Sequence, residues 1–358
     1  MKNSMKIVTA ISTVLISTTA LGVTGLDRAV FSPSILFEEG NVGEITFARS
    51  SPTVSPTFAP AANVAHTVDT VRLGYKHQLS DKFDLGFMIN TQPVGVDLDY
   101  KALGSPLRGS VSARSSIALG HFKATNRISA FGGIKHQQQK GNADLTPNMV
   151  PGATTFGEDS DTGFIVGAAY SIPKIAFRAS LTYESDLAFS HKTTNSDPRG
   201  AGVISFLGGG NTTSGTAETL TLDIQSGIAK NTLLFASVRE AKWSDAQVKF
   251  LGITQLSDFH DTTDYKLGIG RKINDSISVS ITANYEASTG KPVSPFSPQD
   301  GEKGIALGGK FTAASGLVTS VGVQYRKLGD ATTTAASGSI PFTGSDVVTM
   351  GIKFSKSF

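Results

Sequence analysis

Apolar and polar residues alternate with a period of two along most of this chain. The C-terminal segment 346–358 shows the pattern best, because Val348, Met350, Ile352, Phe354 and Phe358 share one parity while mainly Thr, Gly, Lys and Ser lie between them. Successive side chains of a strand point to opposite faces, whereas an amphipathic helix repeats its apolar residues every three or four positions. The pattern therefore predicts an all-β chain whose strands have one apolar and one polar face.

About fourteen segments follow this alternation, and the connections between them are alternately short and long. The segments are 42–54, 67–79, 83–92, 109–123, 127–141, 161–172, 175–191, 217–229, 232–250, 262–273, 276–288, 302–313, 317–329 and 346–358. Short connections such as 80–82 and 274–275 have the composition of hairpin turns, and most prolines lie in the long connections. An even number of strands, with tight turns at one end and long loops at the other, is typical of a bacterial outer-membrane barrel.

Periodicity alone does not say which face of such a barrel meets lipid. In a soluble barrel the apolar parity fills a core, whereas in a membrane barrel it faces lipid and the other parity lines a polar lumen. Here the second parity is rich in Gly, Ser and Thr with scattered charges, which suits a lumen. We therefore predict a transmembrane antiparallel β-barrel of about fourteen strands over residues 42–358. Phe358 also resembles the terminal signal that barrel-assembly machinery recognises, although Lys356 departs from that signal.

The N-terminus predicts export from the cytoplasm. Lys2 and Lys6 lie at the start of an uncharged stretch that runs from Ile7 to Leu21 and is followed by the small residue Gly22. This arrangement is typical of a secretory signal peptide, which we assign to residues 1–22. The alternative is an uncleaved signal anchor, but the stretch is shorter than the roughly 20 apolar residues that span a bilayer. We therefore expect the mature chain in the bacterial outer membrane.

Composition argues against several classes of function. Charged residues make up 17% of the chain, below the roughly 25% of soluble domains, and a net charge of +3 is too small to indicate a nucleic-acid partner. The chain has no cysteine, and its 6 histidines are scattered without metal-ligand spacing. Nucleophile-elbow, zinc-protease and phosphate-loop motifs are also missing from the sequence. We therefore predict no enzymatic activity, no metal site and no cofactor.

The segment 23–41 precedes the first predicted strand and does not alternate. It carries four large apolar residues, Phe31, Ile35, Leu36 and Phe37, whose burial is favourable. About eight strands fill their own interior with side chains and sixteen to eighteen leave an aqueous channel, so a barrel of intermediate width needs something inside it. We therefore predict that residues 23–41 form a plug in the lumen. The alternative is a disordered tail outside the barrel.

Several stretches, taken in order, resemble the long-chain fatty-acid transporters of the FadL/TodX type in a diverged form. They are Gly25–Arg28 entering the plug, Gln92–Gly95 closing the third strand, Trp243–Asp245 on the ninth strand, and the segments 261–268 and 292–300. The resemblance covers essentially the whole mature chain. The chain departs from the family at Glu302 and Lys303, where an arginine is common, and in its short plug, which lacks an Asn-Pro-Ala sequence.

The resemblance implies passive, ligand-gated uptake of hydrophobic molecules, above all long-chain fatty acids. In the family, long loops capture the ligand, the lumen holds a tighter pocket, and a kink in the third strand opens the wall sideways. The corresponding apolar contacts here would be Phe31, Ile35, Leu36, Phe37, Met149, Phe156, Phe206 and Leu207, with the kink at Pro93 and Gly95. Alternatively, the loops pack on one another and Pro93 merely ends its strand.

A carboxylate head group inside the wall requires a basic partner. The basic residues on the predicted lumen parity include Arg72, Lys76, Arg178, Arg239, Lys266, Lys310 and Arg326, of which we single out Arg178, Arg239 and Lys310. Other expected partners are outer-membrane lipid and lipopolysaccharide, and we expect the barrel to act as a monomer. The main alternative function is a general or weakly selective diffusion porin, which we expect to have more lumen charge and no apolar plug.

Overall fold

The computed structural model describes residues 25–145, 150–335 and 338–358, and these residues form a closed antiparallel β-barrel. Within them the wall has fourteen strands, of which the third, seventh and eighth are each split into two segments. In order, the strands are Val42–Thr53, Val68–Gln78, Phe83–Asn90 with Gly95–Asp99, Arg108–Lys123, Ile128–Asp144, Ala153–Ile172, Phe177–Glu184 with Leu187–Asn195, Asn211–Thr216 with Thr219–Ala229, Thr232–Ala241, Thr262–Lys272, Ile277–Glu286, Glu302–Thr312, Leu317–Leu328 and Asp346–Ser357. The predicted all-β barrel is confirmed.

The barrel closes because the first strand pairs with the last. Their antiparallel register runs from the pair Val42 and Ser357 to the pair Thr53 and Asp346. Closure leaves no strand edge exposed to lipid, where an unpaired backbone group would cost several kcal/mol. Each strand otherwise pairs with its neighbours in sequence, as the strict alternation of short turns and long loops predicts.

The two faces of the wall are distributed as in a membrane barrel. Large apolar side chains point outward, where Leu267 is 56% exposed and Ile305 is 55% exposed. The opposite parity points inward and includes the buried polar residues Asn284, Lys310 and Arg326. A soluble barrel would have the reverse arrangement, because its apolar side chains would have to be removed from water.

The long loops contain short elements of their own. Helix α1, Pro198–Phe206, lies between the seventh and eighth strands, and the carboxylate of its N-cap Asp197 accepts from the Arg199 amide at 2.8 Å. Two small hairpins lie in other loops, Lys249–Phe250 with Thr254–Gln255 and Ala331–Ala335 with Gly338–Phe342. The 3-10 turns are Pro33–Phe37, Lys101–Leu103, Pro173–Ile175 and Trp243–Asp245. Among the described residues, no helix is both long enough and apolar enough to cross a bilayer.

Several strands differ from the predicted bounds at the long-loop end. The sixth strand begins at Ala153 rather than at 161, because its outward positions Glu158 and Ser160 are polar and exposed and so lack the apolar parity. The ninth strand ends at Ala241 rather than at 250, because the chain turns inward and buries Trp243 completely. The assignment of Trp243–Asp245 to the ninth strand is therefore wrong, since these residues form a 3-10 turn beyond its end.

Residues 25–41 pass through the lumen, and two glycines of the wall make room for them. Ile35 and Leu36, in the 3-10 turn Pro33–Phe37, are buried against the wall. A Cβ atom on Gly86 of the third strand would lie 2.6 Å from Leu36 Cδ2, and one on Gly74 of the second strand would lie 3.0 Å from Ile35 Cδ1. The wall is therefore thinnest where this turn packs against it.

A side chain at Gly86 is expected to displace the turn without preventing assembly of the barrel. Valine suits a strand, but its Cβ would force Leu36 out of its site. We expect Gly86→Val to raise single-channel conductance in planar bilayers, and Leu36→Ala in the same chain to bring it back towards the wild-type value. The control is Gly309→Val, where a Cβ would have its nearest neighbour at 3.6 Å. Identical conductance in all four proteins would contradict this packing.

Candidate ligand path through the barrel

The ladder between the second and third strands stops at the pair Arg72 and Asn90. The Thr91 amide still donates to Val71 O at 3.0 Å, residues 92–94 lie outside the ladder with the second strand, and the third strand resumes at Gly95. The plug supplies the missing partner: Gly95 N donates to Leu26 O at 2.7 Å, and the amides of residues 28 and 29 donate to Pro93 O at 2.9 and 3.0 Å. Pro93 and Gly95 thus lie at an interruption of the wall to which the plug is bound.

Glycine is required at position 95 by close approach from two sides. A Cβ atom there would lie 2.5 Å from the Val111 carbonyl oxygen and 2.9 Å from Arg28 Nη1. The Arg28 guanidinium is buried against this glycine and donates from Nη1 to Gln92 Oε1 at 3.3 Å. Replacing Gly95 would therefore disturb the plug as well as the strand.

Asp27 lines the inner side of the plug and joins it to the opposite wall. Asp27 Oδ2 lies 2.6 Å from Arg239 Nη2, and Asp264 Oδ2 lies 3.3 Å from Arg239 Nη1. All three side chains are buried. Because a buried charge without a counter-charge is costly, the guanidinium between two carboxylates holds the plug to the ninth and tenth strands.

A cavity of about 200 Å³, the inner cavity, lies between the plug and the wall. Its lining is strongly charged, with basic residues Arg72, Lys135, Arg239, Lys266 and Lys353 and acidic residues Asp27, Glu44, Glu184, Asp223 and Asp264. Lys135 is paired with Glu184 at 3.2 Å and Lys353 with Glu44 at 3.3 Å. Lys266, by contrast, has no ion-pair or hydrogen-bond partner in the described part of the chain. It is therefore the cation best placed to meet an anionic group in this cavity.

A groove of about 430 Å³, the outer groove, lies on the lipid-facing side of the wall. It crosses the thirteenth, fourteenth, first, second and third strands. Glu44, Leu73 and Ile89 line both this groove and the inner cavity. Leu73 and Ile89 face each other across the second and third strands, next to the pair at which the ladder ends. Leu73 and Ile89 point towards lipid, so the inner cavity and the outer groove lie on opposite faces of the same short stretch of wall.

The short-turn end of the lumen opens into a vestibule of about 1640 Å³. Phe37 borders it, and the Arg178 guanidinium lies over the Phe37 ring with Cζ 4.2 Å from the ring centroid. Arg178 also donates to Gln225 Oε1 at 3.1 Å. Other basic residues of the lining are Lys76, Lys123, Arg127, Lys174, Lys230, Lys272 and Lys353. The plug turn thus separates a small inner cavity from a wide basic vestibule.

The long loops fold over the other end of the lumen as an apolar cap centred on Trp243. Trp243 packs on Gly25, where a Cβ would lie 2.5 Å from the indole, and meets the Phe259 ring edge-on at 5.7 Å. Val94 and Ala217 belong to this apolar cluster and also line the inner cavity. Burial raises the pKa of Tyr100, whose hydroxyl donates to the Pro295 carbonyl and joins two of these loops. Sequence reasoning missed this cap because its members lie far apart in the chain.

The predicted capture residues fall in different places on the loops. Phe156 is buried in a second apolar cluster with Ile204 and Phe250. At this position the side chain therefore packs against other loops instead of being exposed for ligand capture. Phe206, at the end of helix α1, is 90% exposed, and Leu207 is 42% exposed. Met149 lies outside the described residues. Phe206 and Leu207 are therefore the predicted capture residues that remain accessible to a ligand.

The three singled-out head-group candidates are not brought together by the fold. Arg239 reaches the inner cavity but is held between two carboxylates, whereas Arg178 lies on the vestibule. Lys310 is buried and is not among the residues that line the inner cavity. Of the predicted plug contacts, Phe31 lines the inner cavity, while Ile35, Leu36 and Phe37 lie on the vestibule side. Within the described residues, no cluster of three or more His, Asp or Glu is placed to hold a metal ion.

Comparison with solved structures identifies the arrangement of the strands. The chain has the fold of the FadL-type channels. A Pseudomonas aeruginosa FadL homologue superposes with a TM-score of 0.72 at 12% identity, covering 95% of this chain and 98% of that one. The Pseudomonas putida toluene transporter TodX gives 0.64 at 12% identity, covering 96% and 98%. The Ralstonia pickettii toluene transporter TbuX gives 0.63 at 13% identity, covering 95% and 97%.

No protein-family model and no curated protein matches the sequence. The recognised resemblance is thus confirmed at the level of the fold, whereas the sequences of the FadL-type structures have diverged far from this one. Substrate and mechanism have to be argued from the residues of this chain.

The Asp27–Arg239 pair is expected to stabilise the closed state of the plug. Arg239→Gln leaves Asp27 and Asp264 buried without a cation, and breaking such a pair typically costs about 3–5 kcal/mol. We expect lower thermal stability, read from the heat-induced mobility shift on gels, together with more frequent opening events in single-channel recordings. Asp27→Asn should act less strongly, and the double variant should be less destabilised than the sum of the single variants.

Asp275→Asn, in the exposed pair with Lys272, serves as the control and should change neither property. Additive effects of the two buried substitutions would contradict the proposed coupling.

Proposed function

We propose that this chain is a diverged member of the FadL/TodX family and takes up hydrophobic molecules, above all long-chain fatty acids, through the bacterial outer membrane. The observation that carries the proposal is that the inner cavity and the lipid-facing groove lie on opposite faces of the wall at Leu73 and Ile89, next to the point at which the ladder of the second and third strands ends. A route that ends at lipid is useful to a hydrophobic molecule and useless to a water-soluble one. The toluene transporters among the structural neighbours support the same class of substrate.

Capture would begin at the exposed apolar residues of the long loops. Phe206 and Leu207 present apolar surface at the end of helix α1, next to the loop Gly208–Gly210, in which all three glycines have positive φ. Such surface on a soluble loop is unfavourable in water unless a ligand covers it. Lipopolysaccharide around the barrel would keep a hydrophobic molecule from entering the membrane directly. The molecule would therefore leave water by binding to this exposed protein surface.

Binding in the lumen would combine an apolar tail with an anionic head. Burial of a sixteen-carbon tail contributes a gross stabilisation of about 12 kcal/mol, from which several kcal/mol of lost freedom must be subtracted. Micromolar affinity or better is therefore within reach. Among the basic residues of the inner cavity, Lys266 is the best head-group ligand, because Lys135, Arg239 and Lys353 already have carboxylate partners. Phe31, also on the cavity lining, would contact the tail.

Exit would be lateral, at the interruption of the third strand. The backbone of the plug covers this interruption through Leu26, Arg28 and Ala29. Movement of the plug therefore exposes unpaired groups of the wall at the point where the inner cavity reaches Leu73 and Ile89. Ligand gating follows if a bound head group competes for Arg239 or Lys266 and loosens the contact of Asp27 with the wall.

The chain would reach its site of action by export and assembly. A signal peptide over residues 1–22, which lies outside the described residues, would direct secretion, and the C-terminal strand ending in Phe358 would be recognised by barrel-assembly machinery. The complete closure of the barrel by one chain supports action as a monomer. A general porin is the less favoured alternative, because the plug and the apolar cap narrow the lumen at both ends.

A disulfide between the plug and the third strand is expected to block exit. Asp27 and Val94 form an isolated antiparallel bridge, a geometry that places Cα atoms within disulfide range, and the chain has no cysteine of its own. We expect the variant Asp27→Cys with Val94→Cys to take up a labelled fatty acid when reduced and to lose most of this uptake when oxidised. Uptake is measured in cells and in proteoliposomes, with binding measured in parallel.

The single variants Asp27→Cys and Val94→Cys are the controls, and neither should respond to oxidation. The Asp27→Cys protein also reports the cost of losing the contact with Arg239. Uptake by the oxidised double variant at the rate of the reduced one would contradict a lateral exit that needs plug movement, and would favour a route through the vestibule.

Removal of the plug distinguishes a gated channel from a porin. Deletion of residues 24–39 touches no strand, so we expect a folded barrel whose conductance and uptake of a bulky antibiotic increase. The intact protein should show low conductance interrupted by brief openings, because the plug fills part of the lumen. Steady conductance of the intact protein, unchanged after the deletion, would favour the porin.

A further inference from the structure

Lys356 lies on the lipid-facing parity, where barrels of this kind usually carry an apolar residue. In register it faces Gly43 of the first strand on one side and Leu317 of the thirteenth on the other. Its side chain is exposed and has no ion-pair or hydrogen-bond partner in the described part of the chain. A cation on the lipid face is tolerated near the interface, and an anion beside it removes the remaining cost. An anionic group outside the barrel would therefore stabilise the charge of Lys356.

The outer groove ends at this lysine, and a glycine forms its floor. A Cβ atom at Gly43 would have Phe358 Cε1 as its nearest neighbour, 3.8 Å away. The groove is therefore deep at this position because glycine has no side chain, and no neighbouring atom occupies the space that a side chain would fill. The rings of Tyr75 and Phe358 stack at 6.2 Å along one side of the floor. Ile45 and Phe354 are register partners on the other side. The floor is one residue wide, which suits a single alkyl chain.

The length and depth of the groove match an amphiphile with its head at Lys356. From Leu317 to Ile89 the groove crosses five strands, a distance of roughly 19 Å at the usual strand spacing, which is close to the length of a long alkyl chain. Lys356 lies near the short-turn end, where Phe358 N donates to Asn41 O at 3.0 Å. Ile89 lies deeper in the wall, beside the interruption of the third strand. The charged end of the groove is thus at the interface and its apolar end is at the exit.

We propose that the outer groove is a docking site for a single-chain hydrophobic acid that has left the lumen, with its carboxylate on Lys356 and its tail across Gly43 towards Ile89. The inference rests on the proposed function and extends it to the lipid-facing surface. The position of the groove directly outside the inner cavity at Leu73 and Ile89, beside the interruption of the third strand, selects an acid that has left the lumen over a lipid that arrives from the bilayer. The site would hold the acid at the short-turn interface until it enters the inner leaflet.

The test uses a fatty acid that carries a photoreactive group at the end of its tail, with the protein in phosphatidylcholine nanodiscs. We expect light to label the segment 87–89, and Lys356→Gln to reduce this labelling about tenfold, as the loss of one charged hydrogen bond predicts. Lys356→Arg should retain the labelling. Gly43→Val should abolish it by filling the floor, since nothing within 3.8 Å opposes the folding of that variant. Lys303→Gln, at an exposed lysine near the long-loop end of the twelfth strand, is the matched control and should label like the wild type.

Two outcomes would overturn the docking site. The first is equal labelling of the wild type, Lys356→Gln and Gly43→Val by the acid. The second is a photoreactive phospholipid that labels the segment 87–89 in a Lys356-dependent way and displaces the acid, which would assign the groove to a bilayer lipid. Labelling of Ser115 and Ile117, which line the inner cavity and lie outside the segment 87–89, reports the proposed function separately. Its absence, together with absent uptake by the wild type, would contradict that function, whereas its presence without labelling of the groove would contradict only the docking site.

Discussion

Within a bilayer, a backbone N–H or C=O group has no water to bind, so a wall that faces lipid must pair all of its backbone groups within the protein. The third strand meets this requirement in an unusual way, because its ladder with the second strand ends at the pair Arg72 and Asn90 and the strand resumes only at Gly95. The plug segment at Leu26 and Arg28 completes the pairing. Plug and wall are consequently one hydrogen-bonded unit here, and displacement of the plug would leave Pro93 O and Gly95 N without these partners.

The same constraint explains why the lumen is layered. The outer face of the wall is mostly apolar, so most charged side chains of the strands are directed inward, where a counter-charge lowers the cost of burial. Arg239 lies between Asp27 and Asp264, and the Arg326 guanidinium pairs with Glu302. Above this layer the loops close over Trp243, and below it the plug turn packs against the wall. Most of the charges that line the inner cavity are therefore paired, and Lys266 stands out as a cavity cation without an ion-pair or hydrogen-bond partner among the described residues.

Glycine shapes the path because it lets two parts of the chain approach more closely than any side chain would allow. Gly74 and Gly86 admit the plug turn, and Gly95 admits the Arg28 guanidinium. Gly43 leaves an open floor on the outer surface. These positions lie on neighbouring strands at one side of the barrel. On that side the plug packs directly on the backbone of the wall. Elsewhere the ladders have register shifts at Gln139/Gly141 and Gly227/Ala229, and the seventh and eighth strands are split.

Period-two alternation together with the spacing of turns was enough to predict the fourteen strands, most of their bounds and the direction in which their side chains point. These features are local, since a strand that separates lipid from a polar lumen must alternate along its own sequence. The apolar residues of segment 23–41 likewise predicted burial of Ile35 and Leu36. The sequence did not show that Trp243 leaves the wall, that Phe156 packs among loops, or that Lys266 alone among the cavity cations lacks a partner. Each of these depends on residues more than a strand away, and ion pairs such as Asp27 with Arg239 form only when the closed barrel brings distant segments together.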